Sequence, residues 1–206
     1  MARKPLRIAV IDSGVNPSHP HIARIDRGWP ENDFLDRLGH GTAVMAAIRE
    51  KVPDAEYFAV RIFDRELRTN IETLLAAIQW SIDQEVDIIN LSLGTSNPAH
   101  AEKFAPFLSR AIIVSPAGAY PGDLQGVIRV APDSDLPRDQ YRCEGEIFYA
   151  SPYPRPMPGV PAGRNLNGVS FAVANMTGLV ALACEFLADR SYESIRARLL
   201  VSQQYR

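Results

Sequence analysis

Apolar residues gather in this chain in two rhythms. Short runs rich in Ile, Val and aromatic residues occupy positions 6–11, 56–63, 86–93, 111–115 and 126–131, bounded by Gly, Asp, Pro or Ser, and predict buried strands. Stretches with helical spacing lie between and after them. Residues 42–50 read as a helix, and 69–84 set Ile71, Leu74, Leu75, Ile78 and Ile82 on one face, with Thr69 and Glu72 fitting a capping box. A short helix is expected at 102–108, and a closing amphipathic one at 191–203 carries Tyr192, Ile195, Leu199 and Leu200 inward. Strands alternating with helices predict an α/β fold, a mainly parallel sheet with helices on both faces.

Three segments depart from this alternation. Residues 171–187 are apolar on nearly every helical face, which predicts a helix buried on most sides, with Ser170 at its start. Residues 15–38 lack periodicity and read as loop with one short strand within 22–29, with His19 and His21 as surface residues. Residues 141–150 suit a strand in an edge hairpin. Residues 151–163 hold too many prolines for helix or inner strand and predict a stiff, extended connection leading to Ser170.

Composition narrows the class without naming a chemistry. The 206 residues, 46% hydrophobic and 22% charged, suit one domain over 1–206 with a single core. A net charge of -2 gives no electrostatic reason for a nucleic acid or acidic membrane partner. No apolar run reaches the roughly 18 residues of a membrane span, since Asn175, Thr177 and Glu185 interrupt the longest. The run after Met1-Ala2-Arg3-Lys4-Pro5 is short and ends at Asp12, so no signal peptide is expected and the reading is cytoplasmic. Cys143 and Cys184 stand far apart without metal-ligand spacing, which predicts a reducing compartment, no disulfide framework and no metal.

Candidate chemistry sits at element boundaries beside glycines. Asp12 ends the first predicted strand, where α/β sheets collect ligands, although an Asp that bonds its own turn would look the same. His40 lies in Gly39-His40-Gly41-Thr42 at a helix start. Ser170 follows Asn167-Gly168-Val169, where free backbone N–H groups and the helix dipole gather; read alone it is an N-cap. Together the three are the groups a hydrolytic triad requires: a hydroxyl to attack, a base to take its proton and a carboxylate to orient the base.

With these motifs the chain resembles the subtilisin-like serine proteases, the subtilase or peptidase S8 family, in compact form. The residues 9–15, Ala-Val-Ile-Asp-Ser-Gly-Val, resemble the family's aspartate motif; Gly39-His40-Gly41-Thr42 the histidine motif; and Asn167-Gly168-Val169-Ser170 the nucleophile motif, with valine where threonine is usual. Residues 88–94, Ile-Ile-Asn-Leu-Ser-Leu-Gly, are similar to the strand that pairs with the substrate backbone. The resemblance implies a three-layer subtilisin-like fold, Asp12 as orienting carboxylate, His40 as general base and Ser170 as nucleophile. It also implies substrate contacts from Ser92, Leu93, Gly94, Pro116, Ala117 and Gly118, with Tyr120 and Pro121 shaping the specificity pocket. The implied activity is that of a serine endopeptidase processing a peptide or protein substrate, without cofactor.

Three departures qualify that expectation. Ala119 stands where the family places the asparagine that donates to the oxyanion, a loss that costs about a hundred- to thousandfold in turnover as measured on subtilisin itself. The Ser170 N–H and the helix dipole would remain, with Gln125 as a substitute donor. The connection between the His40 helix and residue 56 leaves no room for the family's calcium loop, so no structural calcium is expected. No prodomain is evident, although many secreted members of the family require one to fold, which leaves room for a separate prodomain or an activating partner. The alternative is a degenerate subtilase that binds a peptide or protein without cutting it, for which Ala119 and the reduced loops are the argument.

Overall fold

The computed structural model describes residues 4–31, 33–161 and 164–203. Met1, Ala2 and Arg3, and positions 162 and 163 of the proline-rich connection, lie outside that set. Eight strands form one sheet: β1 (Arg7–Asp12), β2 (Arg27–Trp29), β3 (Glu56–Arg61), β4 (Ile88–Leu91), β5 (Ile112–Pro116), β6 (Val127–Pro132), β7 (Tyr141–Glu144) and β8 (Ile147–Ala150). Their order is β2-β3-β1-β4-β5-β6-β8-β7, and neighbours run parallel except the edge hairpin of β7 and β8.

Alternate residues of the central strands feed two cores, as the two-residue period of a strand requires. Ile8, Val10, Ile88, Val114 and Ile128 point to one face, where α1 (His40–Arg49), α4 (Val169–Cys184) and α5 (Tyr192–Gln203) pack. Ala9, Ile11, Ile89, Leu91 and Ile113 point to the other, against α2 (Ile71–Asp83) and the short α3 (Ala101–Phe104). Such double coverage gives near-continuous apolar strands. The result is a three-layer α/β arrangement, as expected from the sequence. Among the described residues no helix is long and apolar enough to cross a membrane.

Local chemistry moved several boundaries. Asn70, not Thr69, caps α2, its side chain accepting from Thr73 N at 2.8 Å. The expected helix at 102–108 is broken into a 3-10 turn, α3 and a second 3-10 turn, with Pro98 and Pro106 each in the first positions of a turn, where a missing N–H costs least. β4 is only four residues long because the chain beyond Leu91 leaves the sheet to build the site.

Parallel strands put all their carboxyl ends on one edge. Ile11 pairs with Leu91, so Asp12 and Ser92 leave the sheet side by side.

Candidate active site

Asp12 is fully buried at the carboxyl end of β1. Its Oδ1 accepts from its own neighbour Ser13 N at 2.7 Å and from His40 Nδ1 at 2.7 Å; Oδ2 is buried with no partner among the described residues. His40 is the first residue of α1, and the helix starts hard against β1. A Cβ on Gly41 would stand 2.3 Å from the Gly14 carbonyl oxygen and 3.2 Å from Asp12 Cβ, so any side chain there would push His40 off its carboxylate.

Asp36, which the sequence reading passed over, holds this junction together. Its Oδ1 accepts from Ser13 Oγ (2.8 Å), Leu38 N (2.9 Å) and Gly39 N (2.8 Å), and its Oδ2 from Thr42 N (2.8 Å) and Thr42 Oγ1 (2.6 Å). Ser13 Oγ in turn accepts from Gly41 N at 2.9 Å. Two donors orphaned at the start of α1 are thereby satisfied, and a negative charge faces the positive helix end. The available signal was an acidic residue just ahead of a helix start.

Burial works against the charged form of His40. The hydrogen bond to Asp12, the Asp12 charge and the Asp36 charge outweigh it, and the imidazole pKa is raised above its ordinary 6.5. The arrangement fixes the proton on Nδ1 and leaves Nε2 to act as a base.

Ser170 reaches the same edge from the opposite end of the chain. Gly168 occupies the N-cap of α4 with φ 144, a conformation that favours glycine, and no side chain caps the helix. Ser170 is therefore inside the first turn, and the reading of it as an N-cap is corrected. Its Oγ donates to the Ser92 carbonyl at 3.3 Å and makes no hydrogen bond to His40 among the described residues. Ser92 Oγ donates to Asn90 Oδ1 (3.1 Å) and the Ser170 carbonyl (3.2 Å), and Asn90 Nδ2 donates to Thr177 Oγ1 (2.9 Å), so β4 and α4 are locked together beneath the serine. The His40 ring lies 5.5 Å from that of Phe171, the next residue after Ser170. Asp12 and His40 are bonded to each other, and the Ser170 hydroxyl is bonded to the Ser92 carbonyl.

The loops after β4 and β5 face each other across the site. Thr95 and Tyr120 exchange two backbone hydrogen bonds (2.8 and 2.9 Å), and a Cβ at Gly94 would meet Ala119 Cβ at 2.7 Å, so the walls nearly touch there. Ala117 N donates to Val130 O (2.8 Å), Gly118 N to Asp123 Oδ1 (3.0 Å), and Leu93 O accepts from Ser115 Oγ (3.3 Å). Pro116 closes β5, buried, and Ala119 brings no side-chain donor. Gln125 cannot replace the missing donor. It precedes β6 and lines a groove with Asp87, Arg110 and Ile112 at the amino ends of the strands, across the sheet from Ser170. Open grooves lie on both sides of the site. One of about 510 Å³ runs from Leu93, Gly94 and Thr95 to Asn70 and Leu74; another of about 390 Å³ lies between Thr42 and Ala46 of α1 and Met157 and Leu166 of the proline-rich connection. Among the described residues no group of three or more His, Cys, Asp or Glu side chains is placed to hold a metal.

A buried Asp–His pair, a serine at a helix start and a parallel sheet delivering them to one edge define a class, and comparison with known sequences places the chain within it. Residues 3–130 match the sequence profile described as the Subtilase family, and the chain belongs to that family. It is 28% identical to the thermostable alkaline protease of Halalkalibacterium halodurans, over 97% of this chain and 62% of that protein. It is 26% identical to the intracellular serine protease of Paenibacillus polymyxa (91% and 69%) and 27% identical to subtilisin E of Bacillus subtilis (97% and 61%). The chain thus spans about three-fifths of the length of the first and third of these relatives. The profile match contains Asp12, His40 and residues 92–94 and ends before Ser170.

Proposed function

We propose that the chain is a serine endopeptidase acting by acyl transfer on an extended peptide. Ser170 Oγ attacks the carbonyl, His40 Nε2 takes its proton and returns it to the leaving amine, and Asp12 holds the imidazole in the required tautomer. The negative charge that develops on the carbonyl oxygen is met by the Ser170 N–H and the positive end of α4, without a side-chain donor from Ala119. Residues 92–94, leaving the sheet beside Ser170, receive the substrate backbone as an added strand, and the two flanking grooves accept its side chains. Among the walls, Pro116, Ala117 and Gly118 serve more as shape than as donors, since two of their amides are already bonded and the third is a proline.

The observation that carries this reading is the 2.7 Å bond from His40 Nδ1 to a fully buried Asp12, one ring contact from the residue after Ser170. Burying a carboxylate is costly and is offset here by the imidazole that pairs with it, an arrangement that concentrates at functional sites. For the Ser170 hydroxyl to serve, it must rotate from the Ser92 carbonyl to His40, the tightening that active sites commonly complete only with substrate bound. Intact-mass analysis with a fluorophosphonate tests the assignment: a single adduct on the wild type and none on Ser170→Ala is expected. No adduct on either would overturn it.

A second reading, a subtilase that binds peptide without cutting, is favoured by Ala119 and by the Ser170 hydroxyl bonded to Ser92 O. Ala119→Asn discriminates. Under the first reading it raises peptide turnover by about a hundred- to thousandfold, the size of the subtilisin effect; under the second, peptide binds and neither protein cuts it.

A further inference from the structure

The segment that delivers Ser170 has no strand to guide it. Between β8 and α4 the described residues form no sheet, yet three carbonyls at its beginning are fastened to α4. Gly168 N donates to Pro152 O at 3.0 Å, while Asn175 Nδ2 donates to Ser151 O at 2.9 Å and Tyr153 O at 3.0 Å. Asn175 is fully buried inside the most apolar helix of the chain, where a polar side chain needs every partner it can reach. Its remaining oxygen accepts from Lys51 Nζ at 2.7 Å.

Lys51 stands just past α1, the helix that begins with His40. Its ammonium also donates to Ala47 O at 3.2 Å, which ties it back to α1. Its stem lies on α4 so closely that a Cβ at Gly178 would come within 2.5 Å of Lys51 Cδ. One side chain therefore touches α1, α4 and, through Asn175, the segment that ends at Gly168. These are the elements that fix where His40 and Ser170 stand relative to each other.

We propose that Lys51 and Asn175 are positioning residues, an internal strut that sets the spacing of His40 and Ser170 and the approach of the chain to Gly168. The proposal rests on the reading of Ser170 as nucleophile. Neither residue is among the reacting groups; Asn175 acts through α4 and Lys51 through its bonds to α1 and Asn175. The chemistry of the pair explains its composition: a carboxamide supplies two N–H donors for loop carbonyls and an acceptor for an ammonium from a single buried position.

The test is the rate of fluorophosphonate labelling of Ser170, resolved into the maximal rate and the concentration for half-maximal rate, with thermal melts run alongside. Lys51→Met keeps the stem over Gly178 and removes the donor. Asn175→Asp is isosteric, keeps the Lys51 contact and loses both donors to Ser151 and Tyr153, so it carries the test even where Lys51→Met does not fold. Because displacing a reacting group by about an ångström costs on the order of a hundredfold, each folded variant should lose at least about tenfold in maximal rate. The half-maximal concentration should stay within about twofold, and Lys51→Arg, which retains donors, should recover most of the rate. Wild-type maximal rates in folded Lys51→Met and Asn175→Asp overturn the strut. Absence of labelling in the wild type overturns instead the nucleophile assignment beneath it.

Discussion

Replacing Asp36 by asparagine should weaken the fold and the base together. The carboxylate accepts five hydrogen bonds and donates none, whereas an amide can keep only one of its two oxygens. Keeping the Oδ1 bonds to Ser13, Leu38 and Gly39 places the amide NH₂ against Thr42 N–H, two donors without an acceptor. Thr42 Oγ1 could turn to accept, but it already takes Asn16 N at 2.9 Å. One stranded donor costs about 1–3 kcal/mol, and losing a charge at the first turn of α1 adds about 0.3–1 kcal/mol. A loss of about 1.5–4 kcal/mol in urea unfolding at neutral pH is therefore expected. The second readout is the pH dependence of Ser170 labelling. His40 must be neutral to act as base, so the rate rises with pH through a midpoint above 6.5, and Asp36→Asn should move that midpoint down, because one of the charges stabilising the imidazolium is gone. A stability loss under about 0.5 kcal/mol together with an unmoved midpoint would show that water satisfies these amides, and that Asp36 is a surface residue.

Other expected outcomes follow from the same contacts. Asn70→Ala removes the cap of α2 and should cost about 1 kcal/mol in chemical denaturation, while Thr69→Ala should cost nothing measurable; the reverse order would restore the capping box. Burial pulls the Lys51 ammonium down to about 8 against the pull of Glu50 and Asp139, with Arg138 pushing the same way as burial. Its folded pKa lies below the unfolded 10.5, so the unfolded chain binds the extra proton between these values and stability contributed by this group should rise with pH across that window, by at most about 3 kcal/mol. Lys51→Met should flatten that rise, and an unchanged slope would place the ammonium in water. Asp12→Asn, measured by the same labelling, should drop the rate by about four orders of magnitude, the effect of setting the wrong imidazole tautomer; a fall of less than tenfold would remove Asp12 from the mechanism.

What could be read from the chain depended on whether the signal was local. β1 and β5 are buried on both faces and so appear as unbroken apolar runs; their limits shifted by one residue at most at either end. β2 pairs only three residues with β3, and its half-exposed Arg-Gly-Trp carries no alternation to mark where it starts. Asp12, His40 and Ser170 were legible because glycines with special backbone demands flank them. Asp36 was not, because four of its five bonds are local ones that any acidic residue ahead of a helix start could offer, and only the fold brings Ser13 to it. Asn175 was noticed as an interruption of an apolar run, but its meaning depends on Lys51, a residue remote in sequence. Gln125 shows the converse error: closeness in sequence to Ala119 suggested a donor, and the parallel sheet carried it to the other edge.

The placement of Ser170 on α4 also bears on when the proposed site can form. α4 is the helix around which one whole core closes, buried along nearly its full length, and the serine is at its leading end. Asp12 and His40 both come from the first segments of the chain, on β1 and α1. Ser170 joins them only when α4 docks, and the docking of α4 is part of closing that core. On the proposed reading, assembly of the site and closure of that core are thus a single event, and a disturbance that undocks α4 takes Ser170 away from His40 as it opens the core.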